Sequence, residues 1–158
     1  MTILTRQATL ADVPLLHRMV RDLAAFENQP DAVLSSEADF ARDGFGDHPR
    51  FEAMLAETSS GEPAGFALFY PTYSTWEGRG GLFIDDLFVY ENHRGGGTGR
   101  LLIQAVARLA LTRGCGRLEL NVLDWNPARQ FYERMGFEYL DEWLPMRARG
   151  DSLRRMAG

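Results

Sequence analysis

The chain has 158 residues, a formal net charge of -5 and 45% hydrophobic residues, proportions typical of one soluble globular domain. The negative charge disfavours nucleic acid as a partner, and no run of about 20 apolar residues could cross a membrane. The single cysteine, Cys115, excludes an intrachain disulfide, and no His/Cys/Asp cluster has metal-ligand spacing. We therefore expect no metal. Because the first residues lack the pattern of a signal peptide, we also expect a cytoplasmic protein.

In the first half of the chain, hydrophobic periodicity predicts strands and helices in alternation. Residues 3–8 alternate as in a strand, and the apolar residues that follow recur at helical spacing. Two further apolar runs are separated by a Gly- and Pro-containing turn, which is typical of a hairpin. The predicted elements are a strand at 3–8, a helix ending near Phe26, a short helix at 35–42 and strands at 51–57 and 64–73.

The second half continues the alternation. The predicted elements are a strand at 82–90, a helix at 97–113, a strand at 117–123, a helix at 127–135 and a final strand at 137–147. This order predicts an α/β fold in which a central mixed sheet is flanked by helices. No linker or repeat divides the chain, so we expect a single domain over residues 1–158.

A glycine-rich turn, Arg94-Gly-Gly-Gly-Thr-Gly99, lies between a predicted strand and a predicted helix. Glycine allows the backbone to approach a ligand closely, and the first turn of a helix offers free N–H groups and positive potential. Arg94 and Arg100 add charge at the same end. The turn has neither the P-loop nor the dinucleotide pattern. It therefore predicts another kind of phosphate site, with a plain flexible turn as the alternative.

Two adjacent acids, Asp85 and Asp86, interrupt the apolar strand before this turn. Strand alternation predicts that Asp86 shares a face with Ile84 and Phe88 and that Asp85 lies on the opposite face. An unpaired carboxylate inside a sheet costs several kcal/mol. The acids therefore have either a structural role, as an ion pair or a strand-end cap, or a functional role, as a binding site for a cationic amine.

Two segments together resemble the GNAT superfamily of N-acetyltransferases. Arg-x-x-Gly-x-Gly between a strand and a helix is similar to its motif A, and residues 125–137 (WNPARQFYERMGF) resemble its Asn…Ala-x-x-Phe-Tyr…Gly-Phe segment. The resemblance runs from Ile3 to Ala157. The loop Asp43-Gly-Phe-Gly-Asp-His-Pro49 is similar to the diamine branch, which includes spermidine/spermine and thialysine N-acetyltransferases.

The resemblance implies the GNAT fold and acetyl-CoA as cosubstrate. In the superfamily the loop amides bind the pyrophosphate and the preceding strand holds the pantetheine arm. Asn126 either contacts the cofactor or caps the helix that follows it, and Arg129 and Arg134 either contact CoA phosphate or lie on a solvated helix face. The implied cofactor-binding residues are Leu87, Phe88, Val89, Arg94, Gly95, Gly96, Gly97, Thr98, Gly99, Arg100, Asn126, Arg129 and Arg134.

The resemblance also implies direct acetyl transfer to a primary amine of a small cationic acceptor. Tyr132 occupies the general-acid position of the family. Glu27, Asp85 and Asp86 are the candidates for binding the substrate cation, and any of them could accept the amine proton. The branch implies a homodimer. Alternatives are acetylation of a protein N-terminus, an amino acid or an aminoglycoside, and a non-catalytic acyl-CoA-binding module.

Overall fold

The computed structural model describes residues 2–158, which fall into two compact units, one ending at Val122 and the other comprising Leu123–Gly158. The first unit contains a five-stranded sheet in the order β1-β2-β3-β4-β5. Its first four strands are antiparallel, and β5 pairs parallel to β4, so the predicted mixed sheet is confirmed. The strands are β1 Ile3–Gln7, β2 Glu52–Thr58, β3 Pro63–Ser74, β4 Arg79–Val89 and β5 Leu118–Leu120.

Five α-helices accompany the sheet within the described residues. They are α1 Val13–Phe26, α2 Glu37–Phe45, α3 Thr98–Thr112, α4 Ala128–Met135 and α5 Asp151–Ala157. The first four lie near their predicted positions, whereas α5 was not predicted. Helix α2 begins with a capping box, in which the Ser36 side chain accepts a hydrogen bond from the Asp39 N–H and the Asp39 carboxylate bonds back. Among residues 2–158, no helix is long and apolar enough to span a membrane.

One face of the sheet packs against α1 and α2. Helix α1 buries a stripe of apolar side chains at helical spacing, including Leu16, Met19 and Leu23. This stripe contacts Phe66, Leu68 and Phe88 of the sheet, among others, to form one hydrophobic cluster. The packing brings the C-terminal end of α1 to the face of the sheet that carries Phe88.

A β-bulge interrupts the pairing of β3 with β4. Leu68 pairs with Asp86 and Phe69 pairs with Ile84, so Asp85 is the extra residue on β4. Leu68 and Phe69 are consecutive and point to opposite faces of the sheet. Paired residues share a face, and therefore Ile84 and Asp86 lie on opposite faces.

The bulge corrects the predicted alternation. Asp86 shares its face with Phe88, as predicted, but not with Ile84, because the inserted residue reverses the alternation between them. Phe88 belongs to the cluster beneath α1, whereas Ile84 is buried outside that cluster. Asp86 therefore faces α1, and Asp85 is exposed at the bulge.

The second unit contains α4 and α5. Helix α4 ends at Gly136, whose φ of 101° is the left-handed conformation that glycine adopts at helix ends. The predicted final strand at 137–147 is wrong, because the structure has no strand there. Its large apolar side chains are exposed, Trp143 by 65% and Met146 by 92%. An apolar run becomes a strand only when another strand supplies hydrogen bonds, and none pairs with this one among residues 2–158.

Candidate active site

Two acids, Asp85 and Glu27, act on the carboxylate of Asp86, which lies on the face of the sheet that α1 covers. Glu27 is the residue directly after α1, and burial raises its pKa. Burial also raises the pKa of Asp86, to about 7, and the negative charges of Asp85 and then Glu27 contribute further. Glu27, which is distant in the sequence, and the adjacent Asp85 therefore both lie within electrostatic reach of Asp86. The fold thus concentrates negative charge at this position.

The charge of Asp86 is not neutralised inside the protein. Over residues 2–158 its carboxylate makes neither an ion pair nor a side-chain hydrogen bond, and the charges acting on it are negative. The same residues contain no group of three His, Cys, Asp or Glu side chains arranged to hold a metal ion. A half-buried carboxylate without an internal partner is suited to an external cation or a proton. This arrangement can bind an ammonium group or accept a proton from it.

Arg94 connects the glycine-rich turn to the same face. Its Nε donates a hydrogen bond of 2.8 Å to the Val89 carbonyl oxygen. Its Cζ lies 4.7 Å from the centroid of the Phe26 ring and 5.9 Å from that of Phe88. These are cation–π distances. The side chain therefore fastens the end of α1 to the end of β4, and its predicted contact with a phosphate stays a prediction.

The glycine-rich turn has the shape of an anion cradle. Gly95 and Gly97 have φ of 77° and 90°, values that favour glycine. Gly96 has no such requirement, but a Cβ built on it meets no atom within 4 Å, so that it would project into open space. Helix α3 starts directly after Gly97, and no side chain among residues 2–158 caps its N-terminus. The free amides and the open space suit a pyrophosphate.

Thr98 and Gly99 occupy the first turn of α3, and Arg100 follows with an exposed side chain. The Thr98 hydroxyl donates a hydrogen bond of 3.0 Å to the His93 carbonyl oxygen. This bond holds the turn against the start of the helix and leaves the Thr98 backbone N–H for a ligand. The geometry thus places all the predicted loop residues at one helix N-terminus.

The backbone of β4 offers a second binding element. Leu87, Phe88 and Val89 pair with β3 along one edge of the strand. On the other edge, β5 pairs only with Leu82–Ile84 in the described chain. Beyond Ile84 this edge therefore has no strand partner in the described chain, and apart from the Val89 carbonyl, which accepts from Arg94, its backbone groups are available for an extended ligand.

Within the second unit, the side-chain amide oxygen Oδ1 of Asn126 accepts a hydrogen bond of 2.9 Å from the Ala128 N–H. This bond is a helix cap, one of the two roles considered for Asn126. Tyr132 is half-buried, and its ring contacts that of Phe137 edge to face with centroids 5.9 Å apart. The cofactor and acid roles of these residues stay predictions.

The two arginines of α4 differ in their contacts. The Arg129 Nε donates to the Glu133 carboxylate at 3.2 Å, and its Cζ lies 4.2 Å from the centroid of the Tyr139 ring. Arg134 is exposed near the end of the helix. Arg129 therefore has contacts of its own within the second unit, and the predicted contacts of both residues with CoA stay predictions.

Comparison with known proteins decides the family. The family model described as "Acetyltransferase (GNAT) family" matches residues 16–137, which is more than half of the chain. The chain belongs to the GNAT acetyltransferase family. This GNAT chain is 38% identical to the thialysine N-epsilon-acetyltransferase of Bos taurus, over 99% of its own length and 98% of the relative's.

Two further similarities extend over most of this GNAT protein. It is 31% identical to the L-ornithine N5-acetyltransferase of Arabidopsis thaliana, over 94% of this chain and 85% of the relative. A solved structure of an integron cassette protein from V. cholerae superposes with a TM-score of 0.82 at 25% identity, covering 99% of this chain and 98% of the other. The fold class and the acetyltransferase activity predicted from the sequence are confirmed.

Sequence reasoning missed two elements of this GNAT site. Phe26 was predicted as an apolar position of a helix, and nothing in the sequence indicated that its ring forms the surface on which Arg94 lies. The second is the pair formed by Tyr90 and Asp22, in which the hydroxyl donates a bond of 2.8 Å to the carboxylate. Both contacts join α1 to residues far along the chain, and no local pattern indicates them.

Proposed function

We propose that this GNAT enzyme transfers the acetyl group of acetyl-CoA to a primary amine of a small cationic acceptor, such as a diamine, a polyamine or a lysine-like amino acid. The observation that carries the proposal is the group of three acids, Glu27, Asp85 and Asp86, in which Asp86 has no internal counter-charge among the described residues. A cationic acceptor supplies that counter-charge. The relatives named for thialysine and L-ornithine support an acceptor of this kind.

The cosubstrate end of the proposed site is the turn Arg94–Gly99 with the edge of β4. Amides at the start of α3 hold the pyrophosphate, and the open space beside Gly96 admits it. The free edge of Leu87–Val89 holds the pantetheine arm by backbone hydrogen bonds, and a backbone N–H near Val89 polarises the acetyl carbonyl. Acetyl-CoA itself supplies the activated acetyl group as a thioester.

At the acceptor end, the carboxylates attract the ammonium group and orient it. An alkylammonium has a pKa near ~10.4, so it must lose a proton before its nitrogen can attack. One of the acids accepts this proton. Tyr132, in the position of the family's general acid, donates a proton to the departing thiolate, since a phenol of pKa ~10 can serve a thiolate of pKa ~8.5, and the second proton that the nitrogen loses restores the phenol.

A panel assay tests the proposal. Purified protein with acetyl-CoA is offered spermidine, putrescine, thialysine, lysine and several peptides, and CoA release is followed with a thiol reagent. We expect turnover on at least one of the small diamines or lysine-like amines. Rates no better than buffer on all of them, with turnover on peptides, would assign the enzyme to another class of acceptor. Tight binding of CoA without turnover on any amine would favour a non-catalytic acyl-CoA-binding module.

The predicted homodimer and cytoplasmic location belong to the same proposal and rest on the resemblance and on the sequence. Light scattering coupled to size-exclusion chromatography tests the first directly. A mass of one chain, 17.8 kDa, at micromolar concentration would refute the dimer.

A further inference from the structure

His93, the residue before the glycine-rich turn, has a side chain that the protein covers. Only 9% of this side chain is exposed, whereas Arg94 and the three glycines after it are exposed. The imidazole Nε2 lies 3.3 Å from Oε1 of Glu62, in the turn between β2 and β3. The side-chain amide nitrogen of Asn92 lies 3.5 Å from the same oxygen. With a hydrogen on Nε2, the imidazole and the amide both donate to one carboxylate oxygen.

The turn that carries Glu62 is itself fixed to the sheet. The Glu62 N–H donates a hydrogen bond of 3.0 Å to the Thr58 hydroxyl, and the Thr58 N–H donates one of 2.9 Å to the Glu62 carbonyl oxygen. Thr58 lies at the end of β2 and is 1% exposed. The His93 side chain is therefore attached to a well-held position on another part of the sheet.

The backbone of His93 meets both ends of the glycine-rich turn. Its N–H donates a hydrogen bond of 2.9 Å to the Tyr90 carbonyl oxygen, directly after β4. Its carbonyl oxygen accepts the bond of 3.0 Å from the hydroxyl of Thr98, the first residue of α3. Gly95 and Gly97, which lie between these points, have left-handed φ values. The turn is thus closed at His93.

A turn made of glycine loses much conformational freedom when it becomes ordered. A ligand binds more tightly when the protein already holds the binding conformation, because other conformations no longer reduce the competent fraction. Glycine has no side chain with which to hold its own position. The contact of His93 with Glu62 joins the turn to the sheet and so supplies order that the glycines cannot.

We propose that His93 is a positioning residue for the cosubstrate, and that its contact with Glu62 holds the turn Arg94–Gly99 in the conformation that binds the pyrophosphate of acetyl-CoA. The inference rests on the proposed function, because it takes this turn as the pyrophosphate site. In this role His93 acts through the backbone of the turn. It takes no part in the transfer of the acetyl group or of a proton.

The charge of Glu62 allows two effects to be told apart by their sign. Glu62 is an acid one side chain away from a site proposed for a polyanion. Removal of a negative charge near such a site strengthens anion binding by electrostatics alone. Loss of positioning weakens it. Glu62→Ala removes the charge and the hydrogen-bond acceptor together, so the direction of the change in CoA affinity decides between the two effects.

The test measures CoA affinity by calorimetry, and KM for acetyl-CoA and kcat with the acceptor that the panel assay identifies. The variants are His93→Phe, Glu62→Ala and the double variant. We expect each single change to weaken CoA binding about fivefold and to raise KM for acetyl-CoA by the same factor. The kcat at saturation and KM for the amine stay unchanged. The double variant binds no more weakly than either single one, because both changes remove the same contact.

Two matched variants serve as controls. His93→Gln retains an N–H donor near the position of Nε2 and should restore the affinity to within about twofold of the wild type. Glu91→Ala removes an exposed acid from the same short helical turn as His93 and should leave the affinity unchanged or higher. The Tm of each variant is measured alongside. A residue that only stabilised the fold would lower Tm without changing the CoA affinity of the folded protein.

The outcomes separate the two proposals. Unchanged or tighter CoA binding in Glu62→Ala would overturn the positioning role and leave the acetyl-CoA site intact. Additive losses in the double variant would overturn it as well, because the two side chains would then act independently. A lower kcat with an unchanged KM for acetyl-CoA would assign His93 to the chemical step instead. A wild-type protein that binds no CoA would refute the proposed function, and the inference with it.

Discussion

Replacing Asp86 by asparagine should raise the free energy of unfolding, and much more at neutral and alkaline pH than at acidic pH. The pKa of Asp86 lies at about 7 in the folded protein, against an ordinary value of 3.8. Between these values the folded chain retains a proton that the unfolded chain has lost, so the free energy of unfolding decreases as the pH rises through this interval. Above pH 7 the carboxylate is ionised in both states, and the full cost remains.

The magnitude follows from the difference in pKa. A rise from 3.8 to about 7 corresponds to about 4 kcal/mol at about 1.36 kcal/mol for each pKa unit. Asparagine has nearly the same shape and no charge. We therefore expect Asp86→Asn to raise the free energy of unfolding by about 4 kcal/mol at pH 8 and by only about 1 kcal/mol at pH 4.5.

Urea unfolding followed by circular dichroism at the two pH values measures this difference. Asp31→Asn, on an exposed side chain in the loop after α1, is the matched control and should change stability by no more than about 0.5 kcal/mol. Equal stability of wild type and Asp86→Asn at pH 8 would refute the reasoning. So would the same gain at both pH values, because it would come from packing rather than from charge. A stabilising change that abolishes activity is the expected signature of a residue retained for function.

Three further changes test other parts of the site. Gly96→Ala should weaken CoA binding about tenfold or more in calorimetry without lowering Tm, since the added Cβ meets no protein atom; unchanged affinity would argue against the cradle. Arg94→Met should lower the free energy of unfolding by about 1 kcal/mol in urea, because it removes the bond to Val89 and the contact with Phe26; full stability would contradict the fastening role. Tyr132→Phe should reduce kcat by about 100-fold while CoA affinity is retained, and an unaltered rate in stopped-flow assays would exclude Tyr132 as the acid.

Local patterns in the sequence were sufficient for much of this protein. Helix and strand periodicity predicted every strand of the first unit and the stripe of α1, because alternation and helical spacing are properties of neighbouring residues. The turn Arg94–Gly99 was predicted to be a phosphate site from its glycines and its place before a helix, and that role stays a prediction. The same turn, together with residues 125–137, was sufficient to identify the family, which the comparison confirmed.

Pairing between distant segments decided the rest. The sequence does not indicate that Asp85 is an inserted residue, because a bulge is defined by the register of β4 against β3. One inserted residue changes the face of the sheet to which the side chains beyond it point. The prediction of a strand at 137–147 was wrong for the same reason, since an apolar run cannot show whether a partner strand exists. The contact of Arg94 with Phe26 likewise joins residues far apart in the chain. The sequence by itself therefore determined the family and most of the elements, and it predicted a phosphate site at the turn Arg94–Gly99. Only the tertiary structure decided which aspartate faces α1 and which faces water, because that choice depends on non-local hydrogen bonding.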